Sequence, residues 1–144
     1  MILVIDANVL VRMVVGARAH RDARQAAEQG VELMTTGRQL DEAAGVLAGV
    51  FKFGPDEILT ELLAVAELMA VVDAEVLEPF RAEATRRLRW KAEGDWPVLA
   101  AALACDAAIW SDDRDFFGTG VPVWSSYNID RVAASARPSR NQHA

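Results

Sequence analysis

Short unbroken apolar runs alternate along this chain with longer stretches whose apolar positions fall three or four residues apart. "ILVI" at residues 2 to 5 is continuously apolar and β-branched, the pattern of a central strand covered on both faces. Asp6 ends the run, and a helix is predicted from Ala7 to about Val15, with Gly16 as its stop. A second helix is predicted from His20 to Gln29, ending at Gly30, and "VELMT" follows as the next strand. "RQLDEAAGVLAGVF" places Leu40, Ala44, Leu47 and Phe51 at helical spacing. Gly54 and Pro55 close that helix, and "PDEILTELLAVAELMA" opens another with Pro55 at its start and acids in its first turn. "VVDA" reads as a short edge strand, and a further helix is predicted from about Leu77 to Trp90. Gly94 and Asp95 precede the alanine-rich helix "WPVLAAALACD", with Pro97 in its first turn. "AAIWS" and "VPVWS" are strands on either side of an acidic turn, and a short last helix lies near Asn128 to Ala134. Strands alternating with helices predict a three-layer α/β/α sandwich around a mainly parallel sheet.

A chain of 144 residues suits one domain, expected over residues 1 to 135, with a flexible polar tail over 136 to 144. With 52% hydrophobic and 25% charged residues and no repeat, the composition excludes a disordered chain and a solenoid. The apolar start lacks a basic leader and is interrupted by Asp6, so it reads as buried strand rather than signal peptide. No apolar stretch reaches the length of a membrane span, so a cytoplasmic location without a membrane partner is expected. Cys105 is the single cysteine, which excludes an intramolecular disulfide and a cysteine-based zinc site and leaves a small core residue. A net charge of −6 opposes nonspecific attraction to nucleic acid. "RAEATRRLRWK" is the local exception, with Arg81, Arg86, Arg87, Arg89 and Lys91 against Glu83; such a run is either a solvated helix face or a phosphate-contacting patch.

In open parallel sheets, ligand sites form beyond the carboxyl ends of the strands. Two predicted strands end in acid, the first at Asp6 and "AAIWS" at Asp112, Asp113 and Asp115; Asp95 and the pair Asp41 and Glu42 lie at helix starts. Taken singly these are caps, first-turn acids and turn residues. Taken together they are a problem of charge, because two carboxylates about 4 Å apart repel by about 4 kcal/mol at an effective dielectric of 20. Several such pairs would rival the ~5–15 kcal/mol stability of a whole domain. Converging acids therefore need a cation or must take up protons. Oxygen ligands without histidine or cysteine favour Mg²⁺ or Mn²⁺, and His20 and His143 fall outside this set. Acids holding Mg²⁺ are the apparatus of phosphoryl-oxygen chemistry.

These residues resemble the PIN domain, a family of metal-dependent nucleases that includes the VapC-like toxins of bacterial toxin–antitoxin pairs. "VIDANVL" resembles its opening motif, "DEAAGVL" its helix with Glu before a Val-Leu pair, and "DWPVLAAALACDAAIWSDDRDFFGTGV" its closing block. The resemblance runs from residue 2 to about 125 and puts the family's catalytic acids at Asp6, Glu42, Asp95 and Asp113. Asp41 stays open as the alternative to Glu42. Metal ligation is implied for Asp6, Asp95, Asp113 and Asp115, with Asn8 and Ser111 as polar supports. The resemblance further implies a sheet of about five parallel strands, homodimers, RNA as substrate, Mg²⁺ or Mn²⁺ as cofactor and, for a toxin, an antitoxin partner. Water activated by the metal would then cleave the phosphodiester to leave 5′-phosphate and 3′-hydroxyl ends. In that setting Arg86, Arg87, Arg89 and Lys91 become expected RNA contacts, Trp90 and Trp96 candidates for base stacking, and Trp124 a core residue. Within "SDDRDFF", Asp113 is the expected ligand, Asp115 its helper and Asp112 a solvent-facing residue, with Phe116 and Phe117 pinning the turn to the core.

Two other readings compete. A haloacid-dehalogenase-like phosphatase needs a second Asp two residues after the first, where this chain has Asn8, and no matching lysine is present. A catalytically inactive PIN-like RNA-binding module would keep the fold without the acids, yet all four acidic positions are filled.

Overall fold

The computed structural model describes residues 1–89 and 92–132. The end of the last predicted helix, the tail, Trp90 and Lys91 lie outside the described residues. Strand β1 (Ile2–Ile5) leads into helices α1 (Ala7–Val15) and α2 (Ala17–Glu28), then β2 (Glu32–Thr36), α3 (Gly37–Gly49), α4 (Pro55–Ala66) and β3 (Ala70–Val72). The second half carries α5 (Ala74–Leu77), α6 (Arg81–Leu88), α7 (Ala92–Cys105), β4 (Ala108–Trp110) and β5 (Val123–Trp124). Three-residue 3₁₀ turns interrupt it at Glu78–Phe80, Arg114–Phe116 and Ile129–Arg131.

All five strands are parallel, in the order β3-β2-β1-β4-β5. Strand order reverses between β1 and β4, where Leu3, Val4 and Ile5 pair with Ala108, Ile109 and Trp110. Side chains alternate across this pair: Leu3, Ile5, Ala108 and Trp110 join one core with α1, α2 and α3, while Val4 and Ile109 join the other with α6 and α7. Burial on both faces explains why β1 is apolar without interruption. Each large aliphatic side chain so buried contributes roughly 1.5–3 kcal/mol. Cys105 packs half-buried against the second core. Among the described residues, no helix is long and apolar enough to cross a membrane.

Three elements depart from the sequence reading. The helix expected from Leu77 to Trp90 is broken into α5, a 3₁₀ turn and α6, because Pro79 cannot donate the N–H that a continuous helix needs. Helix α6 ends at Arg89, whose φ of 58° is left-handed. Helix α7 starts at Ala92, so Glu93 and Asp95 occupy its first turn instead of preceding it, and Pro97 lies inside it. Helix α2 starts at Ala17, ahead of the expected His20.

Candidate active site

The switch between β1 and β4 brings two strand ends together. The Asp6 N–H donates to the Trp110 carbonyl at 3.0 Å, which sets Asp6 beside Ser111. Asp6 caps α1, its Oδ1 accepting from the Ala7 N–H at 2.8 Å. Its Oδ2 accepts from the Ser111 hydroxyl at 2.7 Å and from Asn8 Nδ2 at 3.2 Å. The carboxyl is nearly fully buried. Burial pushes its pKa up, the Ser111 and Ala7 donors pull it down, and the charges of Asp113 and Asp115 push it up again.

Ser111 joins this acid to the next segment, since its Oγ also accepts from the Asp113 N–H at 3.0 Å. Asp113 caps the following 3₁₀ turn, with Oδ1 accepting from the Asp115 N–H at 3.1 Å. The first turn of α7 delivers Asp95. One carboxylate oxygen each from Asp95, Asp113 and Asp115 lies within 4.8 Å of the other two. Burial, then a hydrogen bond with the Asp115 carboxyl, then the charges of Asp6, Asp115 and Asp113 push the Asp95 pKa up to about 7. Like charges this close keep a proton in the group unless a cation replaces it.

Glu42 reaches the site from α3. Burial raises its pKa first and the Asp6 charge adds to that, while Arg38 at 3.7 Å lowers it. A Cβ placed on Gly94 would lie 3.3 Å from Glu42 Oε1, so the start of α7 and the Glu42 side chain meet here. The buried Gln39 links the same two helices. Thr36 caps α3 by accepting from the Gln39 N–H at 3.3 Å and donates its hydroxyl to Gln39 Oε1, while Gln39 Nε2 donates to the Gly94 carbonyl at 3.4 Å.

Asp6, Asn8, Glu42, Asp95 and Asp113 line one cleft of about 570 Å³, with Phe51 among its apolar walls. Asp41 points to solvent and is not among the lining residues, so the geometry favours Glu42. The donor set is carboxylate oxygen throughout, which fits a hard divalent cation and not a soft one.

The other expected residues divide. Arg86 Nε donates to Glu83 Oε2 at 3.0 Å and Arg87 Nε to Glu83 Oε1 at 2.8 Å, and these guanidiniums, Arg86 first, hold the Glu83 pKa down to about 2. Arg87 Nη1 also donates to the Thr119 carbonyl at 2.9 Å, so it buttresses the loop after the acidic turn. Neither these arginines nor Arg89 lines the cleft. Arg81 stacks over the Trp96 ring at 4.6 Å, and Trp124 is half-buried against the first core.

Asp112 does not face solvent as expected. Its Oδ1 accepts from the Ser126 N–H at 2.6 Å, its Oδ2 from the Ser126 hydroxyl at 2.7 Å, and Arg12 pairs with it at 3.0 Å. Its charge is thereby compensated, and the residue does not line the cleft. Of the two phenylalanines, Phe116 is fully buried and anchors the turn, whereas Phe117 is 63% exposed and does not. Sequence reasoning also missed Gln39. Its signal is Thr36-x-x-Gln39, the spacing of a capping box at the start of α3.

A family model described as the PIN domain matches residues 4–133. No curated protein matches the chain in sequence. Among solved structures the chain is similar to VapBC2 from Rickettsia felis bound to a DNA fragment from their promoter, at 15% identity and a TM-score of 0.69, over 87% of this chain and 98% of that one. VapBC-1 from nontypeable Haemophilus influenzae gives 12% identity and a TM-score of 0.62, over 88% and 99% of the two chains. FitAcB from Neisseria gonorrhoeae gives 19% and 0.58, again over 88% and 99%. Identities this low speak to the fold alone.

Proposed function

The chain belongs to the PIN domain family, and on that premise we propose that it is a metal-dependent endoribonuclease. One observation carries the reading. Acids from β1's end, α3, α7 and the turn after β4 converge at the sheet's switch point, where their mutual repulsion calls for a cation. Asp95, Asp113 and Asp115 would hold Mg²⁺ or Mn²⁺, with Asp6 beside them. Bound there, the ion supplies Lewis acidity to phosphoryl oxygens and lowers the pKa of water.

The chain's own residues do the rest. Ser111 and Asn8 fix the Asp6 carboxylate in one orientation, and Ser111 ties it to Asp113. Glu42, whose proton affinity is raised by burial and by Asp6, takes the proton of the attacking water at Oε1. In-line displacement of the 3′ oxygen leaves a 5′-phosphate and a 3′-hydroxyl. Arg86 and Arg89, exposed on and after α6, together with Lys91, offer positive charge for the RNA backbone, while Arg87 is committed to its loop. Asp6 is poorly suited to the nucleophilic role of a haloacid-dehalogenase-like phosphatase, because both its oxygens already accept hydrogen bonds.

Residues 1 to 135 would form this nuclease domain as a cytoplasmic homodimer. Fold likeness to VapBC structures supports a toxin role with a protein antitoxin as partner. A gene for a small DNA-binding antitoxin beside this one would support that role. The decisive assay is RNA cleavage with Mn²⁺ or Mg²⁺ by wild type, Asp6→Asn and Asp113→Asn. Cleavage abolished in both variants is expected; a wild type that cleaves no RNA with either metal, yet hydrolyses a simple phosphate ester, overturns the reading.

A further inference from the structure

A second cavity of about 500 Å³ opens beside the acidic cleft and shares Arg12 and Val15 with it. The neighbouring aspartates Asp113 and Asp112 line one cavity each. The second cavity also carries Arg18, Asp22, Ser126 and Tyr127.

Its formal charges cancel, but their exposures do not. In the Arg12–Asp112 pair at 3.0 Å the side chains are 60% and 20% exposed. In the Arg18–Asp22 pair at 3.8 Å they are 69% and 11% exposed. The carboxylates thus stand behind and orient the arginines, and what the cavity presents outward is guanidinium. Tyr127 is 89% exposed beside them, so its ring is open to a flat partner. Its backbone is held in place through Ser126, which is bound to Asp112. Two outward guanidiniums and an open aromatic face are the elements that hold a phosphate and a base of an unpaired strand.

Resting on the nuclease reading, we propose that this cavity is a substrate subsite for the nucleotide one step beyond the two that flank the scissile phosphate, with its base on Tyr127 and its phosphate on Arg12 and Arg18. Bases in a duplex are already stacked on each other and cannot reach Tyr127, so the subsite selects single-stranded RNA. Arg12, lining both cavities, stands between the scissile phosphate and this neighbouring one.

Steady-state cleavage of an unstructured RNA strand, its self-complementary duplex and a dinucleotide tests this, with wild type, Tyr127→Ala, Tyr127→Phe and Arg18→Ala. Tyr127→Ala is expected to raise KM for the long strand about tenfold with kcat unchanged, since stacking acts equally before and during the chemical step. Tyr127→Phe keeps the wild-type KM. Arg18→Ala raises KM and reduces the salt slope of kcat/KM by about one. On the dinucleotide, which leaves the second cavity empty, all four proteins behave alike, and the duplex is the poorest substrate. Tyr127 and Arg18 are surface residues, so unchanged thermal melts are expected to exclude misfolding. If the wild type cleaves RNA while Tyr127→Ala and Arg18→Ala match it on the long strand, or if the duplex is preferred, the subsite falls and the nuclease reading stands. If the wild type cleaves no RNA at all, both fall together.

Discussion

Asp95 shows how one residue records the electrostatics of the whole cluster. Its pKa is pushed up to about 7 from an ordinary 3.8, so the folded chain binds more protons than the unfolded chain between those values. Asp95's share of stability in the metal-free protein is therefore fully present at low pH and is lost as pH rises through about 7. Thermal melts without metal should show a falling midpoint between about pH 4 and about pH 7, and Mn²⁺ should restore most of the loss at the upper end. Asp95→Asn should flatten the profile and remove the Mn²⁺ response; a wild-type melt indifferent to both pH and metal would sink the cation argument. Ser111 allows a second test, as its single hydroxyl serves Asp6 and Asp113 together. Ser111→Ala should keep the fold and lower cleavage about 10- to 100-fold, the range for removing a group that orients a metal ligand. At this scale, strand ends and helix starts are visible in the chain and single out Asp6, Asp95, the pair Asp41 and Glu42, and the group Asp112, Asp113 and Asp115, while the choice of Glu42 and Asp113 within those groups comes from the resemblance to the PIN domain. The role of Asp112 could not be read, because its partners Arg12 and Ser126 are far away in sequence and nothing local distinguishes it from Asp113.

Elements were legible where a local signal ends them and obscure where tertiary packing does. Gly16 after α1 and Pro55 at the start of α4 are local stops and starts, and both boundaries follow from them. Pro79 is equally local, but the apolar spacing from Leu77 onward concealed the break it makes. The early start of α7 is accompanied by a tertiary contact. Its first turn is held by the Gln39 amide on the Gly94 carbonyl, a contact between residues far apart in the chain. Gln39→Ala should accordingly cost about 2 kcal/mol in denaturant unfolding, from the cavity and from polar groups left without their partner. It should also weaken Mn²⁺ binding, because Asp95 rides on the turn that Gln39 holds. Lost stability with unchanged metal affinity would show that Gln39 serves only the core.

For the whole molecule, the proposed function poses a difficulty: an acidic protein would have to hold a polyanion. Net charge is −6, and five acids gather where the phosphate of the proposed substrate would sit. The sequence shows this imbalance but not its spatial resolution, which depends on carboxylates such as Asp112 and Asp22 lying behind their arginines. Without a divalent ion, the cleft would repel an RNA strand over a distance set by the Debye length, about 8 Å at physiological ionic strength. With the ion, the repulsion at the cleft is offset and the outward arginines can act. RNA affinity should therefore depend on the divalent ion itself, beyond its role in chemistry. Fluorescence anisotropy with a non-cleavable strand, such as one in which carbon replaces the bridging 3′ oxygens, separates the two roles. Binding should strengthen at least about tenfold on adding Mn²⁺ at constant ionic strength, a change of about 1.4 kcal/mol. Asp113→Asn should bind more tightly than wild type without metal, having one fewer negative charge, and should gain less from Mn²⁺. Equal affinity for the strand with and without Mn²⁺ would mean that the acids do not face the substrate.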